Sequence, residues 1–391
     1  MASDDFADVA EPWLRELKEN PDFPPLPDDL EPTTFPLEGA EIDGQPTEID
    51  PEADYSPLPD EALAEEDIEA GREAHRNSGI DVLAFYKSFR FRNRPPCRGK
   101  WGIFLFDVGI SAIRAEYAAV TVGLSPNELH KLAIDTLVAH ERYHFWVDVW
   151  ALGQEVLPAR NRIKRYEHYL ASCRNLIFCE YDYEESLANH YAYSRLRSRK
   201  LSDGSRAGRL IKNLFKKSPE PYSDFLFEAP ERANREALLA GAIVNGVDPY
   251  IAVLLTARGS RAVIGPSIRP ADARHPAVGH QKCPVYVLKV TGYAKRVRPF
   301  LGVKLKEFRL FIEQYLAGKK LSHTDHDYYR IDNGEKVKFP NEHDKNVQGN
   351  ELINILRKAG MTPSDYRKAR TATQKWKVDC PRSEPKEAFG S

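Results

Sequence analysis

Two histidines four residues apart on a helix lie on one face, where their rings can share a ligand. His140-Glu141-Arg142-Tyr143-His144 has this spacing, an HExxH motif within the apolar-periodic run from Asn127 to Trp150. His140 and His144 can bind one metal ion, while Glu141, one residue round the helix, reaches a water at that metal. This is the constellation of a zinc hydrolase, with Glu141 as general base. Leu132, Ala133, Leu137 and Val138 before the motif, and Phe145, Trp146 and Val147 after it, make the helix apolar. Zinc peptidases carry the motif on such a helix.

An open zinc site needs three protein ligands and a fourth position for water or substrate. A downstream histidine in the HExxHxxGxxH manner is excluded, because Val147 stands where glycine is required and Trp150 where the ligand would be. A carboxylate on a following helix fits instead. Glu184-Glu185-Ser186-Leu187-Ala188-Asn189-His190-Tyr191-Ala192 offers two adjacent acids and an amide one turn later. This stretch resembles the ExxAN-x-[FY]-A helix of the ImmA/IrrE-like zinc peptidases, within the gluzincin class in which a glutamate is the third ligand. The resemblance spans roughly residues 100 to 195. It implies zinc held by His140, His144 and Glu185, with Glu184 as the adjacent alternative, and Asn189 orienting a ligand histidine. Arg142-Tyr143 departs from the small residues usual between the two histidines, and no helix-turn-helix DNA reader is evident beside the domain.

Local signals predict the elements that must hold these residues. Aromatic-rich Val82 to Phe91 and apolar Trp101 to Val108, separated by Pro95-Pro96, predict a small sheet ahead of the motif. Ser125-Pro126 predicts the start of the motif helix, and Gly153 its end near Leu152. Arg160 to Cys179 and Tyr183 to Leu196 read as the next two helices. Pro230 to Val244 and Pro249 to Thr256 read as helical, and His275 and His280 as loop residues.

From about Gly302 the pattern changes. Lys304 to Leu316 is amphipathic, with Phe308, Leu310, Phe311 and Tyr315 as anchors. Asn333-Gly334 between Asp327–Ile331 and Glu335–Phe339 predicts a hairpin, and Asn350 to Lys358, closed by Gly360, a helix. Helix, hairpin, helix with His326 opening the hairpin resembles the HicA-type interferase toxins, whose small fold is like a double-stranded-RNA-binding domain. The pattern is carried by His326, Tyr329, Gly334, Val337, Phe339, Pro340, His343, Gly349, Leu352, Ile355, Leu356, Arg357 and Gly360. It implies RNA as ligand and His326 as a general acid or base. Thr324-Asp325 replaces the usual Gly-Ser, and flanking Asp325 and Asp327 repel phosphate, so RNA cleavage, binding by an inactive module and a structural role all stay open.

The chain of 391 residues carries a formal charge of only −2, unevenly spread. Residues 1–78 hold 24 acids and 4 bases, a balance of −20, leaving +18 on the rest. Eleven prolines in the first 60 residues, with few aliphatics, predict a disordered or loosely docked acidic tail, with a short helix around Trp13 to Lys18 and a helix over Asp60 to Arg76. A basic body suits an anionic partner such as RNA. Five cysteines, odd in number and without CxxC pairing, indicate neither a thiolate zinc site nor a disulfide framework. The first residues lack a basic and apolar leader, and no apolar run reaches membrane length, so a cytoplasmic protein with no membrane partner is expected.

The reading is thus an α+β chain. It comprises an acidic tail (1–78), a mainly helical zincin-like metallopeptidase domain with a small sheet (79–200), a helical and loop extension of unknown role (201–298), an αββα-type HicA-like domain (299–370) and a terminal tail (371–391). The expected activity is zinc-dependent hydrolysis of a protein or peptide substrate. The alternatives are a toxin-like RNA-acting protein using His326, with the metal domain regulatory, and a non-catalytic interaction protein.

Overall fold

The computed structural model describes residues 11–12, 15, 42–51, 63–93, 97–156, 166–173, 183–219, 221–246, 283–294, 303–321, 328–338, 346–347, 355–356 and 358–359. The protein is α+β, mostly helical with small sheets, and divides into two compact units, Met1–Leu301 and Gly302–Ser391. No helix among the described residues is long and apolar enough to cross a membrane. Calls resting on His275, His280, His326 and His343 lie outside the described residues, as does the expected helix from Pro249.

The first unit is built on a four-stranded sheet of β1 (Ile42–Ile49), β2 (Ala84–Lys87), β3 (Gly102–Phe106) and β4 (Val285–Val290), in the order β1-β4-β3-β2. β2 and β3 pair antiparallel, β3 and β4 parallel, and β1 and β4 antiparallel. Phe85, Phe104 and Tyr286 stand opposite one another in register and stack at 5.0 and 4.9 Å between ring centroids. Such cross-strand aromatic pairs add roughly 0.2–1 kcal/mol each. β2 and β3 are buried throughout, which explains why their sequences read as apolar runs rather than as alternation.

Two expected boundaries are corrected by this sheet. The acidic segment does not stay outside the fold up to residue 78: β1 is its edge strand, and α1 (Glu65–Ser78) packs against α2 (Asp107–Ala118). Glu65, Glu66 and Asp67 lie in the first turn of α1, where their charge complements the helix dipole, so the acids read as tail composition are partly helix-start chemistry. Nor is 201–298 a separate extension. β4 fills the place between β1 and β3, and α6 (Ala207–Phe215) and α7 (Ala229–Asn245) pack on the preceding helices.

The motif helix α3 (Pro126–Val156) lies on β2, β3 and α2, and packs along α5 (Tyr183–Leu196). It opens as expected, with Ser125 Oγ accepting from the Glu128 amide at 3.2 Å. It runs past Gly153, however, because its last turn is held from outside: Glu155 accepts from the Tyr166 amide and from Arg90. Tyr166 lies in α4 (Tyr166–Cys173), within the helix expected from Arg160, whose first residues lie outside the described ones. Tyr143, inside the motif, is buried with Val147, Trp150, Leu187 and Ile243, so its bulk between the two histidines fills the core behind the site.

The second unit has α8 (Leu305–Leu310) continuing as a π-turn over Phe311–Tyr315, then β6 (Lys319–Leu321), β7 (Tyr328–Arg330) and β8 (Lys336–Lys338) in one antiparallel sheet; β5 (Val303–Lys304) pairs with β9 (Asn346–Val347). The sheet is therefore three-stranded, not the two-stranded hairpin of an αββα chain. β6 is too short and lysine-rich to show a strand pattern. Gly334 sits at φ 86° in the hairpin turn, the left-handed conformation that Asn-Gly sequences supply. Phe308, Phe311, Ile312, Tyr329, Val337, Ile355 and Leu356 form its core.

Candidate metal centre

Four side chains from three elements converge in the first unit: His140 and His144 from α3, Glu185 from α5, and Asp81 from a single 3-10 turn (Ile80–Val82) just before β2. One ligand atom from each lies within 4.8 Å of all the others. His140 Nε2 is 3.3 Å from His144 Nε2, 3.3 Å from Glu185 Oε2 and 2.9 Å from Asp81 Oδ1. His144 Nε2 is 3.7 Å from Glu185 Oε2. A tetrahedron with metal–ligand distances of 2.0–2.1 Å has edges of about 3.3 Å. The His140, His144 and Glu185 separations are close to those edges, so these three atoms fit a small tetrahedral ion.

The remaining ring nitrogens are fixed from behind. His140 Nδ1 donates to Asn189 Oδ1 at 2.9 Å, and His144 Nδ1 donates to Glu184 Oε1 at 2.8 Å. Each bond leaves the Nε2 lone pair facing the common point. Glu184 is itself held by the Tyr169 hydroxyl at 2.8 Å. The adjacent glutamates are thus separated by helical phase: Glu185 faces the centre and Glu184 buttresses His144 from behind. Asn189 Nδ2 donates to the Tyr222 carbonyl at 2.9 Å, and the Tyr222 hydroxyl donates to Asp81 Oδ2 at 2.7 Å.

Burial and charge act on these groups in opposite senses. Burial favours neutral His144, but Glu185 and the Glu184 hydrogen bond push it up to about 10. Burial would raise the Asp81 carboxyl, and His140 holds it down at about 2. Glu141 is pushed up to about 7, first by burial and further by Asp81, against the pull of the histidines. Its Oε1 is buried and accepts no hydrogen bond.

His140, Glu141, His144, Glu185 and Asn189 are therefore brought to one place, whereas His326 lies outside the described residues. Sequence reasoning missed Asp81 and Tyr222. The available signal for Asp81 was an acid in the otherwise apolar Ile80-Asp81-Val82-Leu83, directly after a glycine. Comparison with protein-family models, with curated proteins and with solved structures gives no match for this chain.

Proposed function

We propose that the first unit is a zinc-dependent hydrolase acting on protein or peptide substrates, a zincin-like peptidase of the ImmA/IrrE type with His140, His144 and Glu185 as ligands. The observation that carries the reading is the convergence of His140 Nε2, His144 Nε2 and Glu185 Oε2 at separations of 3.3–3.7 Å, close to the edges of a tetrahedral zinc site. Zinc bound there supplies Lewis acidity that polarises a scissile carbonyl and acidifies water.

The chain's own residues do the rest. Asn189 and Glu184 fix the two imidazoles, so the ligands need no reorganisation. Glu141 follows the first ligand on α3, with one carboxylate oxygen unengaged, and takes the proton of the attacking water and delivers it to the leaving amine. Glu141→Gln keeps the shape and removes the base. The variant should retain about one equivalent of zinc by atomic absorption and lose proteolysis of unfolded casein by at least about 100-fold. One equivalent of zinc with unchanged proteolysis refutes the assignment.

The second unit supports a separate reading as a module that binds an anionic partner, RNA first among them. Lys319, Arg330 and Lys336 stand directly opposite one another across β6, β7 and β8, all exposed. Like charges directly opposite destabilise a sheet, and phosphates would relieve the repulsion. Arg330→Glu should weaken binding of a short RNA duplex at least tenfold in low salt and flatten its salt dependence. Equal affinity for both proteins removes this reading. Cleavage through His326 is the alternative activity of this module, and RNA decay unchanged by His326→Ala excludes it.

A further inference from the structure

We infer that Asp81 is a detachable fourth ligand that closes the metal centre at rest, so that hydrolysis requires it to swing away. The inference rests on the zinc-hydrolase reading and concerns how that site is regulated. Three protein ligands leave one corner of the tetrahedron for water or substrate. Asp81 Oδ1, 2.9 Å from His140 Nε2 and within 4.8 Å of the other two ligand atoms, is close enough to take that corner.

The four ligands are not held alike. His140, His144 and Glu185 sit on long helices with side chains 0, 12 and 14 % exposed; Asp81 sits on a one-turn segment and is 34 % exposed. It is the ligand bordering solvent. Gly79, two residues before it, has φ 86° and provides a bend that other residues adopt only under strain. Its missing side chain is also where the Tyr222 ring rests, since a Cβ there would meet that ring at 2.4 Å. Tyr222 in turn holds Asp81 through Oδ2, and its ring lies over His140 at 6.4 Å. Apart from its contacts with His140 and Glu185 at the centre itself, Asp81 is held by the Tyr222 hydroxyl beside a glycine bend, the arrangement of a latch.

A permanently closed structural site is the competing account of four ligands. It leaves Glu141 unexplained. A structural centre has no use for a buried carboxylate oxygen with no hydrogen bond, which costs stability wherever it occurs. A centre that opens to admit water has.

Cobalt loaded into the full chain in place of zinc reads the coordination directly. The wild-type visible spectrum should be that of a four-coordinate centre and should not respond to millimolar azide. Asp81→Asn should give an azide-responsive spectrum and bind metal about 10- to 100-fold more weakly. At saturating zinc it should cleave unfolded casein about 10- to 1000-fold faster, matching an open state populated at roughly 0.1–10 % in the wild type. Tyr222→Phe, which removes only the retaining hydroxyl, should show a partial azide response and guards against a folding defect in the Asp81 variant. A wild-type centre that already binds azide overturns the latch. So does an Asp81→Asn centre that opens to azide without any gain in cleavage, which makes Asp81 a structural ligand. Failure of the wild-type protein to take up cobalt overturns the metal reading itself and the latch with it.

Discussion

Asn189 joins two parts of the site at once: its Oδ1 lies 2.9 Å from His140 Nδ1, and its Nδ2 donates to the Tyr222 carbonyl at 2.9 Å. The amide therefore sets the tautomer of one ligand and the position of the loop that holds Asp81. Neither a carboxylate nor a hydrocarbon can do both. A carboxylate has no donor for the carbonyl, and a hydrocarbon leaves a buried imidazole N–H unpaired.

Asn189→Leu should consequently lower zinc affinity by about 10- to 100-fold, the range for removing a partner that orients a ligand histidine. Competition with a chelating dye measures it. Glu184→Gln still accepts from His144 Nδ1 and should lose less. Equal affinities for Asn189→Leu and wild type would mean that the ring is oriented by packing alone.

Elsewhere along α3, one cation holds three acids. Arg90, with its side chain 1 % exposed, donates to Asp148 at 2.6 Å, to Glu155 at 2.7 Å and to Glu167 at 3.3 Å. Asp148 also accepts from Ser88 Oγ at 2.5 Å and from the Tyr86 hydroxyl at 3.1 Å, which ties β2 to α3. Arg90→Met removes the cation that, among the described residues, pairs with these carboxylates, and should destabilise the protein by about 3–5 kcal/mol. Combining it with Asp148→Asn should recover part of the loss, because one fewer acid is left unpaired. Urea denaturation of the two variants decides this, and strictly additive losses would show that the acids do not act through Arg90.

The contrast between α3 and Asp81 shows which parts of the site the sequence displays. α3 is long and capped by Ser125, so His140, Glu141 and His144 follow from helical spacing, whereas Glu185 and Asn189 on α5 follow only from the resemblance of that stretch. Which of Glu184 and Glu185 faces the His140–His144 cluster depends on a rotation of 100° per residue about α5, which neighbouring acids do not reveal. Asp81 and Tyr222 come from turns, where position is set by tertiary contacts and no period exists to read. β4 belongs to the same limitation. It joins β3 across a crossover of nearly the whole domain, and pairing of that range has no local signature. β1 was hidden by composition: Ile42-Asp43-Gly44-Gln45-Pro46-Thr47-Glu48-Ile49 is a polar, proline-bearing edge strand, the kind that sheets tolerate only at their margins.

The acid limb of stability should be governed in part by Glu116 of α2. Its carboxylate, 2 % exposed, accepts from Arg72 at 2.9 Å, from Lys217 at 2.5 Å and from Arg76, and so ties α2 to α1 and to the end of α6. Burial raises its pKa, but these hydrogen bonds and charges bring it from 4.5 to about 2. Because the folded value lies below the unfolded one, the stabilisation is fully present above about pH 4.5 and is lost as pH falls towards 2. The full shift corresponds to about 3 kcal/mol. Since the three cations are 23–37 % exposed and screened by solvent, about 1–2 kcal/mol is expected. Glu116→Gln should therefore be less stable than wild type by that amount at pH 7 and indistinguishable from it near pH 2. Thermal unfolding of both proteins from pH 7 to pH 2 gives the difference at each pH. A constant offset across that range would assign the loss to packing and not to the charge of Glu116.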